Sequence, residues 1–262
     1  MERYKRGKRK LLASHAKSWL WGRHAVLEIL RAGRWPVVEL HLDEGLDAEA
    51  LASTRTLAER AGAPLEIVPA KRLRELCHTS EHQGYLARMG PFPYANVEQV
   101  LGNRSKCPLY AILDGVQDPH NFGSVVRSAE VFGIDAVFIG ESEQVGVTTL
   151  AARSSVGAVG RVAITRAASL QALARAMKGL GICVVGASED AERKVTEHDF
   201  KRPSAIVLGN EGTGIRQDLR RECDAMVAIP QLGEIGSLNV AAAAAILFYE
   251  ARRQRATSPH TH

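Results

Sequence analysis

The sequence predicts an α/β protein in two parts: a small α/β unit, then a mostly parallel sheet with helices on both faces. Three observations carry this expectation. In the second half, six short and continuously apolar runs ("LYAILDG", "DAVFIG", "RVAIT", "GICVVGAS", "SAIVLGN" and "AMVAIP") alternate with helical patterns. Such runs fit strands buried on both faces, and strand–helix alternation gives a parallel sheet. The first half repeats these ingredients on a smaller scale, and between Gly90 and Pro108 the periodicity lapses. A chain of 262 residues, 45% apolar and 24% charged, is long enough for two domains.

The elements follow in order. "GRHAVLEILRAG" has helical apolar spacing and stops at Gly33, and "PVVELHLDE" alternates like a strand. "AEALASTRTLAERAG" reads as an amphipathic helix closed by Gly62; "PLEIVP", "AKRLRELC" and "HQGYLARM" read as strand, helix and strand. "GPFPYANVEQVLGNRSKCP", with its prolines and glycines, reads as a linker holding at most a short helix. Beyond it, "NFGSVVRSAEVFG", "TLAARSSVGA", "SLQALARAMKGLG" and an alanine-rich end supply the helices between strands. The expected division is an arm over 1–18, a small domain over 19–90, a linker over 91–108, the larger domain over 109–256 and a tail over 257–262.

The charge is uneven. Lys plus Arg number 34 and Asp plus Glu 29, so the formal charge is 34 − 29 = +5. The opening "MERYKRGKRK" alone holds six Lys/Arg and one Glu, also +5. Such an arm either contacts nucleic acid or keeps the chain soluble. The four cysteines, Cys77, Cys107, Cys183 and Cys223, form no C-x-x-C pair, so reduced thiols and no structural zinc are expected. No run approaches the ~20 apolar residues of a membrane helix, and no secretory signal follows the basic start. A cytoplasmic protein is expected, with no membrane partner.

In an open parallel sheet, ligands bind beyond the carboxyl ends of the strands. "LDGVQDPHNFG", "LGNEGTG" and "IPQLGEIGS" all fall there. "LGNEGTG" is neither a P-loop, because Ile215 and Arg216 stand where Lys and Ser/Thr would follow, nor the G-x-G-x-x-G dinucleotide fingerprint. ATPases and NAD enzymes are thereby disfavoured. What remains is either a backbone cradle open to close ligand approach or a plain strand-to-helix turn. In "DPHNFGSVVRSAEVFG", Asn121 is placed like an N-cap, and Arg127 lies six residues further down the helix. Among small and apolar neighbours its guanidinium needs an anion or several carbonyls. It forms either an ion pair, for instance with Asp114 or Glu130, or a phosphate or ribose clamp.

"NFGSVVRSAEVFG", "LGNEGTGI" and "IPQLGEIGSLNVAAAAAI" together resemble the three motifs of the SpoU/TrmH RNA 2′-O-ribose methyltransferases, in the expected order between Asp114 and Glu250. "GRHAVLEILRAG" and "EHQGYLARM" resemble the small ribosomal-protein-like RNA-binding domain that precedes the catalytic domain in bacterial rRNA guanosine 2′-O-methyltransferases. The resemblance runs from Trp21 to Arg253. It implies a deep trefoil knot at the carboxyl end of the sheet, S-adenosylmethionine (SAM) held bent within it, a homodimer and no metal. A helix packed that closely needs small side chains with high helix propensity, which the alanine run supplies; Ser237 is its N-cap candidate. The implied reaction moves a methyl group to a ribose 2′-hydroxyl of RNA, foremost a guanosine of 23S rRNA. Another rRNA nucleotide (including a resistance-type target), tRNA, and a non-catalytic RNA-binding or ribosome-assembly role are the alternatives.

By that resemblance Arg127 activates the substrate, and Asn121, Glu211, Ser237 and Asn239 complete the catalytic set. Since arginine stays protonated, polarising the hydroxyl and holding a phosphate suit Arg127 better than a base role. Asn121 orients Arg127 or the ribose; Glu211, Ser237 and Asn239 act there or as caps and turns. Leu208, Gly209, Gly212, Ile229, Pro230 and Leu238 are the implied cofactor contacts. Arg23, Arg153 and Arg161 are candidate RNA phosphate contacts; aromatic content of 5% argues against a stacking platform. His24 and His82 carry none of the chemistry. The chain departs from the family pattern at Arg161, where histidine is frequent, at Ala241 for serine, and at Gln231 for methionine. The first change bears on RNA preference and the other two on packing.

Overall fold

The computed structural model describes residues 18–233 and 237–256. Apart from Ser18, the basic arm and the tail lie outside the described residues. The chain divides into two compact units, Met1–Pro93 with Val147–Arg161, and Tyr94–Gly146 with Val162–His262.

The first unit holds a four-stranded sheet in the order β1 (Trp19–Trp21), β4 (Tyr85–Met89), β2 (Val37–Asp43), β3 (Leu65–Val68). β4 runs antiparallel to both neighbours, and β2 pairs with β3 in parallel. Three helices accompany it: α1 (Arg23–Ala32), α2 (Ala48–Ala61) and α3 (Ala70–Cys77). Asp47 caps α2 by accepting a hydrogen bond from the Ala50 amide, and Gly33 and Gly62 end α1 and α2 in the left-handed region. Trp19, Leu73 and Leu86 anchor one of its cores. β1 was not anticipated, because three residues are too few to show alternation.

The segment Val147–Arg161, which interrupts the second unit in sequence, belongs to the first. It carries α6 (Thr149–Ser154) and a turn of 3₁₀ helix at Ala158–Gly160. Its glycines explain the docking. A Cβ on Gly157 would stand 2.6 Å from the Glu28 Cβ, and one on Gly160 2.9 Å from the Ile29 Cδ1, so only bare backbone can lie this close to α1. Arg161 closes the contact with Nε and Nη2 on the Glu28 carboxylate at 3.0 and 2.6 Å.

The second unit is built on six parallel strands in the order β10 (Ala225–Val227), β8 (Cys183–Ala187), β9 (Ser204–Leu208), β5 (Leu109–Leu113), β6 (Ala136–Gly140), β7 (Ala163–Ala167). All six apolar runs are strands. Tyr110, Ile112, Phe138, Val184 and Val207 share one buried cluster with Leu173 and Met177 of α7 (Leu170–Gly179). The alternate residues Ala111, Val137, Val185 and Ile206 are also fully buried, so both faces are covered. Within the expected linker, α4 (Val97–Gly102) is capped by Asn96 and buries Leu101 in that cluster.

The alanine-rich end forms α9 (Val240–Ala256) and packs chiefly on α5 (Pro119–Val131). Ala244, Leu247, Phe248 and Ala251 are fully buried. The far end of α9 is pinned by Arg255, whose guanidinium donates to the carbonyls of Cys107, Pro108, Phe200 and Arg202.

Candidate active site

Beyond the carboxyl ends of β8, β9 and β10 lies a pocket of about 520 Å³, within the range of small-molecule sites. Two glycine-bearing loops wall it. The first, after β9, is closed on itself: the Asn210 amide donates to the Gly214 carbonyl at 3.0 Å and the Gly214 amide to the Asn210 carbonyl at 2.8 Å. Gly214 has φ +66°, and a Cβ on Gly209 would stand 2.2 Å from the carbonyl carbon of Gly214. The pocket wall here is therefore bare main chain. The Asn210 side chain ties the loop down, donating to the Gly115 carbonyl at 2.7 Å and accepting from the Gly212 amide at 2.8 Å.

Leu208, Gly209, Gly212, Ile229 and Leu238 line this pocket, as does Ser237; Pro230 is not among its lining residues. Asn121, Glu211 and Asn239 come together from three separate stretches of chain. The Glu211 Oε1 accepts from the Asn121 Nδ2 at 2.8 Å, the Asn239 Nδ2 at 2.7 Å and the Val240 amide at 3.3 Å. Asn239 also donates to the Asn121 Oδ1 at 3.0 Å. One carboxylate thus holds the start of α5 and the start of α9 against the β9 loop.

Two capping expectations are corrected. Asn239, not Ser237, caps α9: its Oδ1 accepts from the Ala241 amide at 2.9 Å, because it immediately precedes the first helical residue. α5 is capped by Asp118, with Pro119 at its first position, which places Asn121 inside the first turn and leaves its amide free to reach Glu211. Arg127 is exposed, with no hydrogen-bond or ion-pair partner among the described residues. Neither Asp114 nor Glu130 pairs with it. The fully buried Asp114 carboxylate instead takes the Arg216 amide at 2.8 Å and its Nε at 2.7 Å. That contact holds Arg216 more firmly protonated than usual and fastens the far end of the β9 loop to β5.

Sequence reasoning missed this pair, and it missed Ser188, Asp190 and Arg220 at another edge of the pocket. Arg220 donates to both Asp190 oxygens at 2.9 and 3.0 Å; with the Ser188 hydroxyl it keeps the Asp190 carboxyl below the usual range. "GASED" directly after a strand was the available signal. Of the arginines expected to meet RNA, Arg23 is exposed at the start of α1, Arg161 is engaged by Glu28, and Arg153 stacks on the Trp21 ring, 3.6 Å from its centroid.

Residues 108–249 match the model of the SpoU rRNA Methylase family, and residues 19–95 match that for RNA 2′-O ribose methyltransferase substrate binding. Among relatives, a 23S rRNA (guanosine-2′-O-)-methyltransferase RlmB of Ralstonia nicotianae is 34% identical, with 92% of this chain and 97% of that one covered. An uncharacterized tRNA/rRNA methyltransferase of Mycolicibacterium vanbaalenii is 34% identical over 89% of this chain and 76% of its own. In solved structures, the SpoU methyltransferase AviRb from Streptomyces viridochromogenes, in complex with AdoMet, superposes with a TM-score of 0.77 at 26% identity, covering 92% of this chain and 91% of that one.

Proposed function

The chain belongs to the SpoU rRNA methylase family, and from that premise we propose that its target is a guanosine 2′-hydroxyl in 23S rRNA, modified in the cytoplasm by a homodimer. The chemistry is SAM-dependent 2′-O-methylation of rRNA. The pocket suits the donor: it is walled by backbone where a Cβ at Gly209 could not fit, and it has a volume of about 520 Å³. When bound there, SAM supplies an electrophilic methyl on a sulfonium.

The protein's own part is placement. The β9 loop with Ile229, Ser237 and Leu238 holds the donor, and Glu211 bonded to Asn121 and Asn239 locks the motifs together. Arg127, on the helix that bears Asn121, polarises the ribose hydroxyl and grips an adjacent phosphate. Such alignment supplies much of the acceleration in a transfer of this kind. The single observation that carries this reading is the three-way bond among Asn121, Glu211 and Asn239, with exposed Arg127 on the same helix as Asn121. The C-terminal knot is part of the same proposal. It is supported by the return of α9 from the edge strand β10 to pack on α5 and β9.

A dimer is supported by an exposed apolar stripe: Ala242, Ile246 and Tyr249 are exposed along one side of α9, and Val131 of α5 is 65% exposed. Light scattering that returns one chain's mass would remove the dimer from the proposal.

The test is transfer of labelled methyl from SAM into rRNA from cells lacking the gene, followed by mapping of the modified nucleotide. Arg127→Ala is expected to lower transfer at least about a hundredfold, as loss of a charge-stabilising donor does, while SAM affinity holds. Label appearing in tRNA instead, or at a non-guanosine ribose, would move the target within the same chemistry. Tight RNA binding with no transfer would leave a non-catalytic scaffold.

A further inference from the structure

A second pocket, wholly within the first unit, is lined by Trp21, His24, Glu81, Gln83, Arg153 and Val156 and measures about 500 Å³. Its distinctive feature is Arg153. The guanidinium carbon stands over the Trp21 ring, 3.6 Å from its centroid, within cation–π range. Its Nε is buried and has no hydrogen-bond partner, and no acceptor for its terminal nitrogens is found among the described residues. Glu81 is exposed, and Arg153 forms no ion pair with it. Half-buried arginines ordinarily satisfy their five donors on carboxylates or carbonyls. In this same chain Arg255 does so with four carbonyls. The Nε of Arg153 has given up water without gaining an acceptor among the described residues.

The surroundings favour an anion. The pocket includes Gly22 and His24 at the start of α1, a ten-residue helix whose N-cap Gly22 offers no side-chain acceptor. The positive end of a helix and an unpaired guanidinium therefore share one cavity. Arg23 stands beside it, its backbone amide bonded to the Gln83 Oε1 at 3.0 Å. The indole holds the guanidinium in place, so its planar fork can grip a phosphate with less ordering on binding.

We infer that Arg153, stacked on Trp21, is a phosphodiester subsite for the substrate RNA in the first unit, built from both stretches of chain that make up that unit. The inference rests on the reading of the protein as an rRNA methyltransferase and deepens it. Arg153 arrives on the strap Val147–Arg161, which leaves β6 and returns to β7 of the other unit. The strap that carries Arg153 is continuous in chain with β6 and β7 of the sheet that bears the donor pocket.

The experiment measures three quantities on full-length protein: affinity for a labelled rRNA fragment as a function of salt, SAM affinity by calorimetry, and kcat and KM for methyl transfer. Arg153→Gln is expected to weaken RNA binding about tenfold and to lower the slope of log affinity against log salt by about one phosphate contact, 0.7 to 0.9. SAM affinity and kcat at saturating RNA should be unchanged. Arg153→Lys, a conservative variant that keeps the charge, should restore most of the salt slope but not the full affinity. Glu81→Gln should tighten RNA binding by removing the carboxylate from the pocket's rim. Wild-type affinity and salt slope in Arg153→Gln, with SAM binding showing the protein folded, would overturn the subsite and leave the methyltransferase reading intact. Arg153-dependent RNA binding in a protein that transfers no methyl would do the reverse. Equal loss in both substitutions, with an unchanged salt slope, would make Arg153 only a brace for the strap and also overturn the inference.

Discussion

The two loops that wall the donor pocket differ in how they are held. The loop after β9 is closed by reciprocal backbone bonds between Asn210 and Gly214, anchored by the Asn210 side chain on Gly115 and by Arg216 on buried Asp114. The stretch after β10 is tied at its start, where the Ala228 amide donates to the Arg193 carbonyl and the Ala228 carbonyl accepts from the Val195 amide, each at 2.8 Å; among the described residues, Ile229 to Gly233 make no backbone bond to one another, and Leu232 is fully exposed. Beyond it, Asn239 meets Glu211. One wall is closed by its own backbone bonds, whereas Ile229 to Gly233 of the other are not. A wall closed in advance lowers the ordering cost of binding.

The contrast can be broken first at Gly209. Gly209→Ala brings a methyl within 2.2 to 2.4 Å of the Gly214 and Ile215 backbone, which no rotamer change relieves. Calorimetry should find SAM binding lost. If SAM still binds, the β9 loop is not rigid and the comparison fails. Glu211→Ala removes the acceptor shared by three donors and should lower kcat by ten- to a hundredfold, about 1.4 to 2.7 kcal/mol. Glu211→Gln keeps an acceptor oxygen and should fall by less. Equal losses in the two variants would assign the effect to charge rather than to the joining of the loops.

Asp114→Asn loosens the preformed wall from below. Removing one partner of a buried pair costs ~3–5 kcal/mol, and Arg216, 39% exposed, regains some water. About 2 kcal/mol should therefore appear in denaturant unfolding, together with a raised KM for SAM. The smallest effect is expected at Leu232→Ser, where full exposure predicts a stability change within ~0.5 kcal/mol. A stability change only with SAM present would sharpen the contrast by showing that binding buries Leu232.

Legibility from sequence followed the range of the interaction. The six core strands were readable because burial on both faces leaves a local signature of continuous apolar runs. The small domain's helices were readable through their closing glycines, Gly33 and Gly62. Caps were harder: "SLN" offers two candidates two residues apart, and only the true first turn of α9 selects Asn239 over Ser237. Pairings between distant segments were invisible. Nothing near Arg161 points to Glu28, and nothing near Asp114 points to Arg216, because each partner is supplied by a different element of the fold.

The chain by itself determined the six strands of the second unit, their parallel arrangement, and the three motifs whose Asn121, Glu211 and Asn239 meet at one pocket. These depend on short-range periodicity and on residue types that few backbone geometries accept. Only the tertiary structure decided that Val147–Arg161 leaves its neighbours to lie on α1, that Asp114 serves Arg216 rather than Arg127, and that Arg127 and Arg153 find no acceptor among the described residues. Those outcomes rest on which surfaces close against each other, a choice made by packing across the whole chain and written in no single stretch of it.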